Sequence, residues 1–228
     1  MELIMQHIYL IILGLILILG HGVSCAVAQT AIPDTAVERK ARAAFLEQSL
    51  AREDHPEKVR ELAMISAVIA GVDDPTAKAT TRAVTILARA TQANPGDSEL
   101  MAAHGSVLTM MAKFQDQTSQ QLRYVKKGFR MMDRALKKDP DNIGALLQRA
   151  NNSLHMPLFL KRTHYAKRDF ERLLDLAGNK VPGFRAMILY QLGQAHQLLK
   201  DPASAKKYWL QAASLKAGYW SQQAAANM

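Results

Sequence analysis

The chain has 228 residues, with 29 lysines and arginines against 20 aspartates and glutamates, so its formal net charge is +9. Hydrophobic residues make up 49% and charged residues 21%, which excludes an intrinsically disordered chain and is typical of a globular one. The single cysteine, Cys25, excludes an intrachain disulfide framework and a metal cage built from several thiolates.

The first predicted element is an apolar leader. Residues 8–20 form an unbroken apolar run of 13, shorter than a membrane span of about 20 residues. Ala26-Val27-Ala28 follows, which fits the small-residue pattern of a signal-peptidase site. We therefore predict a signal peptide over residues 1–28, cleaved after Ala28, and a protein exported to the periplasm or cell envelope.

Two alternatives for the leader stay open. No lysine or arginine precedes the apolar run, so residues 3–20 are also compatible with an uncleaved membrane anchor. Val23-Ser24-Cys25 resembles the end of a bacterial lipobox, with Gly22 where that pattern usually has leucine, which makes lipidation at Cys25 the other alternative.

Beyond the leader, the sequence predicts helices in series. Asp74-Pro75 and Asp201-Pro202 pair a capping side chain with proline, a pattern that begins helices. Asn94-Pro95 and Asp139-Pro140 follow long helical patterns, which proline ends. The predicted helices lie near residues 36–52, 56–70, 75–93, 98–115, 119–138, 142–155, 163–177, 183–199 and 202–217. No period-two alternation persists, so we predict an all-α fold without strands.

The helix predicted at 119–138 has two distinct faces. Its apolar face carries residues spaced by three and four: Leu122, Val125, Phe129, Met132 and Leu136. Its opposite face carries a basic stripe: Arg123, Lys126, Lys127, Arg130, Arg134, Lys137 and Lys138. Like charges at this spacing repel each other. We therefore predict that the stripe either binds an anionic surface or is an ordinary solvated face. A second basic group follows at Lys161, Arg162, Lys167, Arg168 and Arg172.

A repeat signature occupies the last two predicted helices. Its residues are Leu192, Gly193 and His196 in the first helix, then Ala205, Trp209 and Ala212 in the second. With 12 residues from Gly193 to Ala205, the pattern resembles the tetratricopeptide repeat (TPR). His196 stands where that repeat usually has tyrosine, and Ala217 where it often has proline.

Earlier segments resemble the second half of the same repeat. The matching residues are Ala83, Leu87, Ala90 and Pro95, then Gly128, Met132, Ala135 and Pro140, then Ala166, Phe170 and Leu173. Extra residues lie near 113–119 and at 156–160. The resemblance divides the chain into a signal peptide or membrane anchor (1–28), N-terminal helices (29–74), TPR-like repeats (75–217) and a C-terminal tail (218–228).

The resemblance implies a right-handed superhelical stack of antiparallel helix pairs, a TPR-like solenoid. An unrelated helical bundle is the alternative. In the TPR family the first helices of the pairs line a concave face that binds a peptide or a partner helix. The residues predicted to lie there are Gln148, Asn151, Asn152, Tyr190, Gln194 and Gln197. The alternative is that they are ordinary solvated polar positions.

The predicted function is therefore an exported protein–protein interaction scaffold that supports an envelope complex. The alternatives are a ligand-binding accessory lipoprotein of a transporter and a membrane-surface binder acting through the basic stripe. The partner is another protein or peptide, with an anionic membrane surface as a further candidate and no nucleic acid expected. No catalytic motif, metal motif or cofactor-binding loop occurs, so we predict no enzyme activity, no metal and no cofactor.

Overall fold

The computed structural model of the protein describes residues 32–53, 55–177 and 181–228. The predicted signal peptide, anchor and lipidation site lie outside these ranges. The described residues form ten α-helices and no strand. In chain order they are α1 (Ala36–Leu50), α2 (Pro56–Val68), α3 (Ala77–Ala93), α4 (Ser98–Met110), α5 (Thr118–Lys138), α6 (Ile143–Leu154), α7 (Thr163–Ala177), α8 (Pro182–Leu198), α9 (Pro202–Ser214) and α10 (Tyr219–Ala226).

Three short helical segments interrupt this series. A π-helical turn, Ile69–Asp73, extends α2, and a 3₁₀ turn, Met111–Phe114, extends α4. A second 3₁₀ turn, Leu158–Leu160, lies between α6 and α7. None of the described helices combines the length and the apolar character that crossing a bilayer requires.

Capping side chains fix several helix starts. Thr35 and Glu38 form a reciprocal capping box at α1, where each side chain accepts a hydrogen bond from the other residue's backbone N–H. Asp201 caps α9 by accepting from the Ser204 N–H at 3.1 Å, so the predicted start at Asp201-Pro202 is confirmed. The predicted start at Asp74-Pro75 is wrong by two residues. There Thr76 caps α3, because its hydroxyl accepts from the Ala79 N–H at 3.2 Å.

The chain forms two compact units, divided between Ala145 and Leu146 inside α6. In the unit that contains α1 to α5, helices pack against their neighbours in sequence: α1 on α2, α2 on α3 and α4, α3 on α4, and α4 on α5. Its core includes Leu46 and Ile65 near α1, and Leu87 and Leu100 between α3 and α4, all without solvent exposure.

Two glycines let α4 and α5 approach closely. A Cβ on Gly105 would lie 2.6 Å from the carbonyl oxygen of Gly128. A Cβ on Gly128 would in turn meet the carbonyl oxygen of Gly105 and the methyl group of Thr109. Neither position has room for a side chain, so the backbones of the two helices are in direct contact.

The unit from Leu146 to Met228 repeats this plan. Helix α7 packs on α8, α8 on α9, and α10 on both α8 and α9. The repeat residues Ala205, Trp209 and Ala212 are buried with Leu189. Gly193 lies against the indole of Trp209, whose Nε1–H donates to the Tyr190 carbonyl at 3.2 Å. These contacts join the two helices of the predicted repeat.

Helix α10 lies within residues 218–228, which the sequence analysis treated as a tail. Ala224 is fully buried against α8 and α9, and the Ser221 hydroxyl donates to the Ala212 carbonyl at 2.7 Å. The segment therefore belongs to the folded unit.

Three lysines adopt left-handed backbone conformations. Lys161 has a φ of 54°, Lys200 of 63° and Lys216 of 49°. Lys161 ends the second 3₁₀ turn, and Lys200 and Lys216 follow the ends of α8 and α9. Glycine is the usual residue in this region because L side chains crowd the backbone there.

Candidate partner-binding surfaces

The three polar residues predicted on α6 are less accessible than expected. Asn151 is 2% exposed and Asn152 4%, while Gln148 is half-buried. The Asn152 amide donates to the Gln148 carbonyl at 2.8 Å, one turn back in the same helix. Both asparagines are therefore buried instead of exposed at the surface, and their role in partner binding stays a prediction.

Asn151 differs from Asn152 in its hydrogen bonding. Within the described residues its Nδ2 has no hydrogen-bond partner, although the atom is buried. Leaving a buried amide donor without an acceptor costs about 1–3 kcal/mol. The Asn151 amide is therefore an unsatisfied buried donor within the described residues.

The three residues predicted on α8 differ in their solvent exposure. Gln197 is exposed, Gln194 is half-buried, and the Gln194 amide donates to the Tyr190 hydroxyl at 2.9 Å. The ring of Tyr190 lies 5.4 Å from that of Trp220 in α10. Trp220 lies in the predicted C-terminal tail, residues 218–228, and no sequence pattern indicates that it belongs to this surface.

All seven residues of the basic stripe on α5 are exposed. Within the described residues no ion pair joins any of them to a carboxylate; Lys138 donates instead to the Pro95 carbonyl at 3.0 Å. The opposite face of α5 carries the buried Phe129, Met132 and Leu136. The stripe is therefore a solvated, positively charged surface on the outer side of a packed helix.

The pKa of one buried histidine is affected by that burial and by a cation of the stripe, Lys127. His104 of α4 is 8% exposed, and its Nδ1 lies 3.3 Å from the Thr91 hydroxyl oxygen. Burial, and to a smaller extent the charge of Lys127, lowers the pKa of His104 from 6.5 to about 4. The ring is therefore neutral at physiological pH.

Two arginines of the second basic group, together with Arg149, surround Tyr165, which is not among the predicted site residues. The guanidinium carbons of Arg162, Arg168 and Arg149 lie 3.9, 4.8 and 5.5 Å from the centre of the Tyr165 ring. Asp169 accepts two hydrogen bonds from Arg149, at 2.8 and 2.7 Å. Its pKa is raised by burial, and the hydrogen bonds from Arg149 oppose that rise. The sequence carries one signal for this cluster: Arg162 and Arg168 each lie three residues from Tyr165, a spacing that places side chains close together on a helix.

No group of three or more histidine, aspartate or glutamate side chains is placed to hold a metal ion in the ranges that the structure describes. His196, which replaces the usual tyrosine of the repeat, packs between the two helices of the last pair. Its ring lies 5.2 Å from that of Tyr208, and its Nδ1 is 3.0 Å from the Asp201 carboxylate.

Comparison with known proteins gives a structural match. No family profile and no curated protein sequence matches the chain. Among solved structures it is similar to MamA from AMB-1 (crystal form P212121), a TPR-like protein, with a TM-score of 0.52 and 16% sequence identity over 81% of this chain and 93% of MamA. The fold is a TPR-like helical solenoid. This confirms the predicted all-α, TPR-like fold, and at this identity the likeness concerns the fold alone.

Proposed function

We propose that the protein is an exported protein–protein interaction scaffold of the bacterial cell envelope, without enzyme activity. TPR-like stacks present the first helices of their pairs to a partner, and here those helices include α6 and α8. The observation that supports the proposal is the TPR-like helical fold, in which α8 exposes Gln197 at the surface.

Site-specific crosslinking in native membranes tests this function. A photoreactive phenylalanine analogue replaces the exposed Gln197 on α8, and the control carries it at the exposed Gln211 on α9. We expect one specific protein adduct at position 197 and none at 211, because α9 is the outer helix of the pair. Equal labelling at the two positions would contradict the proposal.

Export is tested by mass spectrometry of the mature N-terminus. We expect the chain to begin at Gln29. A diacylglyceryl group on Cys25 would instead favour the transporter-accessory lipoprotein, and an intact Met1 would favour an anchored protein.

Membrane-surface binding through the basic stripe is a second candidate function. The observation in its favour is that all seven cations are exposed on one side of α5. Replacing Arg123, Lys127, Arg130 and Arg134 with glutamate is expected to abolish binding to anionic liposomes. The matched control reverses four exposed lysines elsewhere, Lys40, Lys78, Lys206 and Lys207, and changes the net charge equally. Equal loss in both variants would show that only net charge matters, and unchanged binding in the stripe variant would reject this function.

A further inference from the structure

The insertion between α6 and α7 exposes two large apolar side chains side by side. Leu158 is 56% exposed and Phe159 is 69% exposed, whereas Met156 just before them is buried. Adjacent exposed leucine and phenylalanine are unfavourable in water because their apolar area stays hydrated. Because they are adjacent, the two side chains form a small apolar patch at the surface.

The backbone of the insertion holds both side chains in a closed turn. The Leu160 N–H donates to the Pro157 carbonyl, and the Lys161 N–H donates to the Leu158 carbonyl, each at 2.9 Å. Lys161 then ends the turn in a left-handed conformation. The turn is thus hydrogen-bonded at both ends while Leu158 and Phe159 remain outside the core.

Cations follow the apolar pair directly in the chain. Lys161 and Arg168 are exposed, and Arg162 and Arg168 lie against the Tyr165 ring. The nearby carboxylates have partners of their own: Asp169 pairs with Arg149, and Glu171 with Lys167 at 2.8 Å. The segment therefore keeps an excess of positive charge beside its exposed apolar side chains.

We propose that residues 157–168 dock on the surface of an anionic phospholipid bilayer. Leu158 and Phe159 enter the interfacial layer, and the exposed Lys161 and Arg168 bind lipid phosphates. A lipid surface fits better than an acidic protein because it satisfies the apolar pair and the cations at once. The residues of this membrane site differ from those of the protein-binding face and of the basic stripe.

Vesicle co-sedimentation of the full chain tests the site. The vesicles contain phosphatidylcholine and phosphatidylglycerol in equal parts, and pure phosphatidylcholine is the uncharged comparison. We expect the Leu158→Ser, Phe159→Ser double variant to bind about tenfold more weakly or worse, because it loses the apolar contact. The control, Phe45→Ser with Leu210→Ser, removes another exposed phenylalanine and leucine, 56% and 49% exposed, and is expected to bind as the wild type.

Two further arms separate the sources of binding. Lys161→Glu with Arg168→Glu is expected to remove the preference for anionic vesicles, and excess inorganic phosphate is expected not to compete. Competition by inorganic phosphate would identify a free-anion site and overturn the proposal. Vesicle binding at the wild-type level by the Leu158→Ser, Phe159→Ser variant would overturn it too. This holds even if that variant no longer binds a protein partner.

A conservative variant reports insertion directly. In Phe159→Trp, acyl-chain-brominated lipids are expected to quench the added fluorescence relative to the wild type, which has only Trp209 and Trp220. Absence of added quenching on bound vesicles would place Phe159 outside the bilayer. Crosslinking at Gln197 is an independent readout, so failure of the membrane site and failure of the scaffold function are distinguishable.

Discussion

At the residue scale, His104 makes the stability of the unit that contains α1 to α5 depend on pH. Its ring is buried beside Thr91, and its pKa is lowered to about 4. In an unfolded chain a histidine titrates near 6.5. Between these two values the unfolded chain binds a proton that the folded chain does not, so stability is full above pH 6.5 and falls as the pH decreases toward 4.

We predict that His104→Gln removes part of this acid sensitivity. Glutamine can keep a hydrogen bond to Thr91 and does not titrate. The wild type should lose about 2 kcal/mol more than the variant between pH 7.5 and pH 4, after allowance for partial solvent screening. Urea unfolding of both proteins at the two pH values measures the difference. Parallel loss in the two proteins would show that His104 is not the sensing group.

The placement of single side chains was only partly predictable. The cations of α5 lie exposed, as the helical wheel places them, because a charged row opposite an apolar row must face water. The wheel also groups Gln148, Asn151 and Asn152, but it does not reveal which neighbouring residues cover that group. Asn151 and Asn152 are buried for that reason, and their polarity alone gave a wrong expectation of exposure.

At the element scale, the contact between Gly193 and Trp209 holds α8 against α9. A methyl group on Gly193 would lie 2.7 Å from the indole Cε2 and closer still to two other ring atoms. A methyl group on Gly183, in the same helix, would meet only the Ala217 carbonyl oxygen, at 3.9 Å. The two glycines therefore differ in the space around them while sharing one helix.

We predict opposite effects of alanine at these two positions. Gly193→Ala forces the indole or the helix to move and should destabilise the protein by about 1–3 kcal/mol. Gly183→Ala removes backbone freedom from the unfolded chain and should be neutral or stabilising by about 0.5 kcal/mol. Thermal unfolding by circular dichroism measures both. A similar effect of alanine at the two positions would show that the indole contact does not set the stability of this helix pair.

Most helices were predictable because capping residues and prolines punctuate the sequence. The predicted ends of α3 and α5 before Pro95 and Pro140 match the structure within a few residues. Helix α10 was missed because its eight residues start after Gly218, without a side-chain cap. Its stability comes from tertiary contacts, such as Trp220 against Tyr190, that no local pattern encodes.

At the scale of the whole molecule, helices pack mainly against their chain neighbours within each unit. In such an arrangement a local defect weakens nearby helices more than distant ones. Gly193→Ala is therefore predicted to speed amide hydrogen exchange in α8, α9 and α10 and to leave α1 to α3 unchanged. Mass-spectrometric exchange resolves these segments. A uniform increase along the chain would indicate one cooperative unit.

The three left-handed lysines have a practical consequence for protein engineering. Glycine would relieve backbone crowding at positions 161, 200 and 216, and each replacement would also delete a cation. We therefore expect the Lys200→Gly, Lys216→Gly double variant to be more stable and less basic than the wild type, with the insertion after α6 unchanged. In that variant, lipid or partner affinity can be measured with less interference from nonspecific attraction to polyanions.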